Sequence, residues 1–373
     1  MIRVNAPELD TLLGKMSELD ASDLFLTVGL PPTAFVNKRI VPLTDTPLQG
    51  EDIERIAAPF LKDTRAADFQ NKPDLDLAHV VPGKGRFRIN IFRQRTELGL
   101  VVRRVKLEIQ SFDSLGLPPI LGSLALAPRG LLLVTGATGS GKSTTLAAMI
   151  DHRNATQDGH IVTIEDPIEF VHPHRKSIVT QREVGIDTAS FHDALKSALR
   201  QAPDSILIGE VRDRETAEAA LHLAETGHLV MATLHSTNAS QTLERLLNLF
   251  QQDYHAQIRM LLSLSLVGIV SQRLIAASDR KSRLPAIEIL LPTPRVKDLI
   301  KQGDLGGIKG ALAQGGEGMQ SFDESLYKLV KAGRLTREDA LPYADSPSDF
   351  RLRFRLEDSS ATSREERPRM GLK

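Results

Sequence analysis

A glycine-rich run of nine residues that begins at Gly136 carries the clearest chemical signal in the sequence. It matches the pattern G-x-x-x-x-G-K-[ST], in which backbone N–H groups wrap a phosphate. Glycines permit this wrapping because they reach the required backbone angles without a Cβ clash. We expect Lys142 to neutralise the β- and γ-phosphates of a nucleotide and Ser143 to offer its hydroxyl to Mg²⁺. The predicted nucleotide-binding residues of this loop are Gly136, Ala137, Thr138, Gly139, Ser140, Gly141, Lys142, Ser143 and Thr144.

Carboxylates follow two of the predicted strands. The strand 205–208 leads into Gly209-Glu210, the shape of a Walker B element, although Gly209 stands where Asp is usual. A second group of acids, Glu165, Asp166 and Glu169, lies within five residues. Such carboxylates repel one another unless a cation or a basic group balances them. We expect Glu210 to bind Mg²⁺ and either Glu169 or Glu210 to orient the attacking water. The sequence alone does not show which of the four acids acts as the general base.

Histidines flank the predicted strand Leu229–Leu234. His235 follows the strand at its carboxyl end, where ligands bind in open α/β sheets, so it is predicted to sense the γ-phosphate. His228 precedes the strand, and its sequence context fits a catalytic role and a structural role about equally. His172 and His174 have no third ligand at a convincing spacing, so no zinc site is predicted there.

Strands and helices must alternate to place these groups together. The run Gly130–Thr135 is continuously apolar, as expected for a strand buried on both faces of a parallel sheet. Runs of the same character occur at 161–164, 205–208 and 229–234, with helical patterns between them. The alternation predicts an α/β domain. After residue 238 helices are expected to dominate, with residues 257–277 as the longest.

Composition divides the chain into four parts. Residues 1–110 show short strand and helix patterns, typical of a small mixed α+β domain. Residues 111–129 are rich in proline and glycine and are predicted to form a linker. Residues 130–346 form the predicted α/β domain, and residues 347–373, with few apolar residues, are predicted to be a disordered tail.

The overall composition limits the class of protein. Among 373 residues, 41% are hydrophobic and 25% charged, values typical of a globular protein. Basic and acidic residues both number 47, and only 4% are aromatic, so nucleic acid is not an expected partner. The absence of cysteine excludes disulfides and thiol catalysis. Because no signal peptide and no apolar run of about 20 residues is present, we expect a soluble, cytoplasmic protein.

The order of these motifs resembles the GspE/secretion-ATPase superfamily of bacteria. Within it, the chain is most similar to the twitching-motility (retraction) ATPases of type IV pili, the PilT/PilU family. The similarity covers most of residues 20–345. Besides the phosphate loop, it is carried by residues 22–25, 86–88, 164–172, 181–185, 200–204, 209–212 and 225–238.

The resemblance implies a homohexameric ATPase motor that binds Mg-ATP. It implies an N-terminal PAS-like α+β domain and a C-terminal RecA-like P-loop ATPase domain. Glu169 occupies the position of the catalytic carboxylate of the Asp box, Glu210 that of the Walker B glutamate, and two histidines those of the His box. The residues that the resemblance assigns to catalysis are Glu169, Glu210, His228 and His235. Basic residues of the N-terminal domain that it marks as candidates for stabilising the γ-phosphate are Arg88, Arg93 and Arg103.

Two departures refine the resemblance. Pilus-extension and type II secretion ATPases generally carry a four-cysteine zinc site, which this sequence lacks, so retraction is favoured. The segment Arg295–Gln302 differs from the Ala-Ile-Arg-Asn-Leu-Ile-Arg-Glu segment of the principal retraction ATPases and is closer to PilU paralogues. This implies an accessory motor that acts with a PilT-like paralogue. It also implies a location at the inner-membrane platform protein of the pilus base.

The expected mechanism is mechanical. Hydrolysis removes the contacts of the γ-phosphate, and the two domains then rotate with residues 111–129 as the hinge. Three alternatives remain open: an extension or secretion motor of the same superfamily, a nucleotide-binding regulatory subunit, and a nucleic-acid translocase. Neutral charge and scarce aromatic residues disfavour the translocase.

Overall fold

The computed structural model describes residues 8–37, 39–62, 69, 73–105, 108–280, 282–316 and 318–365, with side chains as far as residue 357. The chain divides into two compact units. The first comprises Met1–Ile109 and Ile168–His172, and the second comprises Gln110–Pro167 and Pro173–Lys373. The chain therefore first passes from one unit to the other at Ile109–Gln110, and the segment that carries Glu169 belongs to the first unit.

An antiparallel sheet forms the centre of the first unit. Its elements are β1 (Asp23–Leu26), β2 (Thr33–Val36), β3 (Arg39–Pro42), β4 (Asp74–Val81), β5 (Gly85–Gln94), β6 (Glu97–Arg104), α1 (Leu9–Glu18) and α2 (Gly50–Ala57). The strands pair in the order β3-β2-β1-β6-β5-β4. Phe87, Ile89 and Ile91 alternate along β5 and are fully buried, so they form the core face of this strand. They pack in one core with Leu12 and Leu13 of α1.

A mostly parallel sheet forms the centre of the second unit. Its strands are β7 (Gly130–Thr135), β8 (Gly159–Glu165), β9 (Ser177–Glu183), β10 (Ser205–Ile208), β11 (Leu229–Leu234), β12 (Leu266–Ala276) and β13 (Arg283–Leu290). They pair in the order β13-β12-β7-β11-β10-β8-β9, and only β12 and β13 pair antiparallel. The predicted combination of an α+β unit and an α/β unit is confirmed.

Helices cover both faces of this parallel sheet. They are α3 (Phe112–Leu115), α4 (Ile120–Ala125), α5 (Lys142–Thr156), α6 (Phe191–Ala198), α7 (Arg214–Glu225), α8 (Ala239–Leu247), α9 (His255–Ser265), α10 (Pro294–Gln302), α11 (Leu305–Gln314), α12 (Phe322–Lys331), α13 (Arg337–Ala340) and α14 (Pro347–Glu365). Leu131 and Leu133 of β7 pack in the core that includes α7 and α8, whereas Leu132 and Val134 pack in the core that includes α4 and α5. All six residues of β7 are buried, as its apolar run predicted.

Residues 111–129, predicted as a linker, form helices α3 and α4 within the second unit. Gly116 ends α3 with a left-handed φ of 66°, and Pro119 immediately precedes α4. Leu121 and Ala125 are fully buried in the core. Glycine is favoured just after helices and proline at their starts, so these residues mark helix ends here and not a flexible segment. The expected hinge at 111–129 is therefore contradicted by the packing of this segment.

The C-terminal segment, predicted as disordered from residue 347, is helical to Glu365. Phe350 and Phe354 are buried one helical turn apart, with ring centroids separated by 5.2 Å. They pack with Phe322 and Leu335. Two phenylalanines at this spacing bury one face of a helix even where the composition is mostly polar. Residues 366–373 lie outside the described residues.

Residues 257–277, predicted as one long helix, divide into two elements. Helix α9 ends at Ser265, and strand β12 follows at once. A continuous apolar run fits a buried helix or a buried strand, and here the pairing of β12 with β7 and β13 shows that the second half is a strand.

In the part of the chain that the structure describes, no helix is long and apolar enough to cross a lipid bilayer.

Candidate nucleotide site

The phosphate loop joins strand β7 to helix α5 and is closely packed against β12. Gly136 and Gly141 have φ values of 151° and 90°, in the region that favours glycine. A Cβ at Gly136 would lie 2.4 Å from the carbonyl oxygen of Gln272, and one at Gly141 would lie 2.7 Å from Nε2 of the same residue. Gly136 therefore allows a close backbone approach between the loop and β12, and the positive φ of Gly141 favours glycine at that position.

Lys142 and Ser140 present the polar groups of the loop. Lys142 Nζ donates hydrogen bonds to the carbonyl oxygens of Gly136, at 2.9 Å, and Ala137, at 3.1 Å. Burial lowers the pKa of Lys142, and the nearby Glu210 carboxylate opposes that effect. Ser140 Oγ is buried and has no hydrogen-bond partner among the described residues. A cation held by loop carbonyls and an unsatisfied hydroxyl fit a loop that receives phosphate oxygens.

A charged cluster lies at the carboxyl ends of β8, β10 and β11. Arg212 Nη2 donates to Glu210 Oε2 at 2.7 Å, and His235 Nε2 lies 3.3 Å from Glu210 Oε1. Arg212 Nη1 also lies 3.7 Å from Asp166 Oδ2. Burial raises the pKa of Glu210, but the hydrogen bond from Arg212 and the neighbouring His235 outweigh burial and hold it below its ordinary value. Glu210 is therefore ionised at neutral pH.

Gly209 explains why this strand end lacks the usual aspartate. Gly209 N donates to the carbonyl oxygen of Ile164 at 2.7 Å, so β10 and β8 approach closely at their ends. A Cβ at position 209 would lie 3.1 Å from the Cα of Glu165 and 3.2 Å from that carbonyl oxygen. The tight contact favours glycine and leaves Glu210 as the first carboxylate beyond the strand.

The other acids of the predicted set have different surroundings. Glu165 Oε1 accepts hydrogen bonds from Thr163 Oγ1 at 2.7 Å and Gln181 Nε2 at 3.2 Å, both on the same sheet. Asp166 is part of the cluster through Arg212. Glu169 lies in the first unit and is exposed between the buried Ile168 and Phe170.

The structure does not bring the two predicted histidines together. His235 follows β11 at its carboxyl end, whereas His228 precedes the same strand. At about 3.3 Å per residue, the two positions are roughly 20 Å apart. His228 Nδ1 lies 3.1 Å from the carbonyl oxygen of Leu223 and 3.4 Å from Thr226 Oγ1. These contacts fit the structural role that the sequence left open for His228.

The three arginines predicted to contact the γ-phosphate belong to the first unit. Arg88 and Arg103 stand opposite each other on β5 and β6. Arg103 Nε donates to Asp23 Oδ1 at 2.9 Å, and Arg88 lies 3.5 Å from Asp76. Arg93 lies farther along β5, where its guanidinium donates to a backbone carbonyl at 3.1 Å. Two of the predicted arginines therefore form one basic pair on the sheet surface.

Three residues of the site were not singled out as site residues from the sequence. Arg212 follows Glu210 by only two residues, so the sequence could have indicated that Arg212 lies at the same edge of the sheet. The sequence could not indicate that Gln272 and Thr145 contact each other, because 127 residues separate them. Thr145 Oγ1 donates to Gln272 Oε1 at 2.7 Å and ties helix α5 to β12 beside the loop.

Comparisons with known proteins agree with this arrangement. Residues 78–309 match the family model described as type II/IV secretion system protein. The chain is 49% identical over 350 residues to PilU, a type IV pilus ATPase of Pseudomonas aeruginosa, with 94% of this chain and 92% of that protein covered. It is 42% identical over 344 residues to PilT, a type IV pilus retraction ATPase of the same organism, with 92% and 100% covered.

A solved structure agrees along almost the whole chain. The crystal structure of the pilus retraction motor PilT with bound ADP matches with a TM-score of 0.85 and 42% identity, over 92% of this chain and 98% of that chain. A nucleotide-bound structural relative fits the phosphate loop found here. The chain belongs to the type II/IV secretion ATPase family and, within it, to the PilT/PilU group of type IV pilus ATPases.

Proposed function

We propose that this chain is the ATPase subunit of a hexameric motor that retracts type IV pili. The similarity to PilU along 94% of this chain and 92% of that protein carries the proposal. The type II secretion system protein E of Xanthomonas campestris is 45% identical, but over only 41% of this chain and 25% of that protein. Agreement in domain content and length therefore supports retraction over secretion.

The proposed hydrolysis assigns one task to each group of the site. Lys142 and the loop N–H groups would bind the β- and γ-phosphates, with Ser140 Oγ free to donate to a phosphate oxygen. Ser143 and Glu210 would hold Mg²⁺, since hydroxyl and carboxylate oxygens are ligands that this ion prefers. When bound, the ion would neutralise phosphate charge. Glu210, or Glu169 of the first unit, would orient the attacking water, and His235 would sense the γ-phosphate.

Loss of the γ-phosphate would then shift the arrangement of the two units. A ligand changes a conformational equilibrium only through contacts that differ between its states, and the γ-phosphate supplies such contacts. We place the motion at the passage Ile109–Gln110, since residues 111–129 are packed inside the second unit. Arg88, Arg93 and Arg103 are the proposed basic groups of the first unit that act on the nucleotide, in the same or a neighbouring subunit.

A deletion strain separates retraction from extension. Loss of the gene should leave excess surface pili that do not retract, and restoring the wild-type gene should return twitching motility. A strain carrying the Glu210→Gln variant should behave like the deletion. Missing pili in the deletion strain would instead assign the chain to pilus extension.

The PilU-like character supports an accessory role beside a PilT-type ATPase. The proposed partners are copies of this chain, a PilT-like paralogue and the platform protein of the inner membrane, reached from the cytoplasm. ATPase turnover and particle mass, measured with and without the paralogue, test this role. A hexamer that hydrolyses ATP alone, yet needs the paralogue to restore retraction in a double deletion, is the expected result. Restored retraction by this chain alone would contradict the accessory role.

A further inference from the structure

Five buried side chains lie in a row of hydrogen-bond contacts next to the phosphate loop. Ser236 Oγ lies 2.6 Å from Thr242 Oγ1, which donates to the carbonyl oxygen of Asn238 at 2.7 Å and lies 3.3 Å from Thr135 Oγ1. Thr135 donates to Ser271 Oγ at 3.2 Å, and Ser271 donates to Glu288 Oε1 at 3.0 Å. This row of contacts starts at Ser236, one residue after His235. It includes Thr135, the last residue of β7, which directly precedes the phosphate loop. Both loops of the site are therefore linked to one carboxylate.

Glu288 also holds the start of helix α8. The backbone N–H of Ala239, the first residue of that helix, donates to Glu288 Oε1 at 2.7 Å. The preceding Asn238 caps the helix by accepting from Gln241 N at 2.9 Å. A carboxylate at a helix N-terminus is favoured by unpaired N–H groups and by the helix dipole. The loop between β11 and α8, which carries His235, is thereby fixed at its far end.

An ionisable group in this position is costly for folding. Glu288 is only 3% exposed, and burial raises its pKa to about 7 even though Ala239 and Ser271 donate to it. The charged groups that act on it are Asp345, which raises the pKa further, and Arg273, which lowers it. An apolar residue would avoid that cost. Residues that violate folding rules are expected at functional sites.

We propose that Glu288 is a positioning residue for ATP hydrolysis, which fixes the His235 loop against the strand that carries the phosphate loop. The inference rests on the proposed role of His235 at the nucleotide. The carboxylate accepts from Ser271, which itself accepts from Thr135, and it also accepts from the backbone N–H of Ala239. One acceptor therefore holds both the end of β7 and the start of α8. Removing it leaves the helix N-terminus and Ser271 without their acceptor and frees the loop to move.

The test compares four variants of the full chain. Glu288→Leu removes the acceptor, Glu288→Gln keeps an acceptor oxygen, and Ser271→Ala interrupts the row of contacts. Ser325→Ala is the matched control, because Ser325 is also buried and its hydroxyl accepts a hydrogen bond from Ile287 N at 3.0 Å. Ile287 lies next to Glu288 on β13, but Ser325 makes no contact in the row of hydrogen bonds described above. Steady-state ATPase activity, affinity for a fluorescent ADP analogue and thermal unfolding are measured for each.

We expect Glu288→Leu to lower kcat at least tenfold with nucleotide affinity within threefold of wild type, and Glu288→Gln to recover most of the loss. Ser271→Ala should lower kcat more than Ser325→Ala. Wild-type kcat in Glu288→Leu, or equal losses in the two serine variants, would overturn the inference. If Glu288→Leu does not fold, the two serine variants decide. A wild-type chain without ATPase activity would instead overturn the proposed hydrolysis itself.

Discussion

The carboxylate of Glu210 accepts from Arg212 and lies beside His235, whereas Glu165 is held by two neighbours on its own sheet. A carboxylate that polar neighbours keep ionised, at the open edge of the sheet, is suited to bind a cation or orient water. Thr163 and Gln181 hold Glu165 Oε1 against its own sheet, whereas the Glu210 carboxylate lies close enough to Lys142 of the phosphate loop to oppose the effect of burial on the pKa of that lysine. At the scale of single residues, Glu210 is therefore the stronger candidate of the two.

Replacing Glu210 by Gln should abolish most turnover while nucleotide still binds. Loss of a residue that acts in proton transfer or water orientation typically lowers the rate by about 100-fold or more. Single-turnover ATP hydrolysis and ADP affinity measure the two effects separately. The matched control is Glu218→Gln, an exposed glutamate of α7, which should hydrolyse ATP like wild type. Full turnover by Glu210→Gln would reject its assignment.

Replacing Lys142 by Ala should weaken nucleotide binding. A hydrogen bond to a charged group contributes about 1.5–3 kcal/mol, which corresponds to roughly 10- to 100-fold in affinity. Titration with a fluorescent ATP analogue measures the change, and thermal unfolding shows whether the loop carbonyls that Lys142 contacts tolerate its loss. Lys196→Ala, at an exposed position of α6, serves as the control. Equal affinities for both variants would contradict the role of Lys142.

The elements of the second unit place the site because parallel strands end at one edge. β11 lies between β7 and β10, so the phosphate loop, His235 and Glu210 follow three adjacent strands. Helix α14 acts differently, since its two phenylalanines extend a separate core formed with α12 and β13. The part of α14 that carries these two buried phenylalanines therefore belongs to the folded unit.

Replacing Phe354 by Ala should lower the free energy of unfolding by about 3 kcal/mol, because it removes a buried ring and leaves a cavity. Phe354 is 3% exposed, whereas Leu352 on the same helix is 51% exposed. Leu352→Ala should change the stability by less than about 0.5 kcal/mol. Urea unfolding measures both variants. Equal, small effects would show that α14 does not stabilise the unit.

At the scale of the whole molecule, the buried carboxyl group of Glu288 is expected to contribute to the pH dependence of stability. The pKa of Glu288 is about 7 in the folded chain and ordinarily 4.5, so the folded state binds the proton more tightly. The free energy of unfolding should therefore fall as the pH rises from 4.5 to 7. A shift of this size corresponds to about 3 kcal/mol.

The variant Glu288→Gln isolates this contribution. Because Gln does not titrate, its free energy of unfolding should fall less than that of wild type over the same pH range. Urea unfolding at pH 4.5, 6 and 7.5 measures the difference. Parallel curves for the two proteins would show that Glu288 titrates normally and is not held in the core as described.

Much of the fold followed from local pattern. The alternation in β5 and the apolar runs of β7, β10 and β11 specify strands because burial on one or both faces demands those residue types. Packing decided the remaining elements. The segment 111–129 is rich in proline and glycine, and the segment 347–365 is poor in apolar residues. Only the contacts of Leu121, Phe350 and Phe354 show that these segments belong to a core.

The sequence by itself determined the phosphate loop, the strands that lead to it and the acids that follow them, because glycine, lysine and carboxylate spacing is local chemistry. Only the tertiary structure decided which of those groups meet. It placed Arg212 on Glu210 and joined Glu288 to the site across residues distant in the chain. Such choices depend on which strands are neighbours, and sheet pairing is a non-local property that no run of residues encodes on its own.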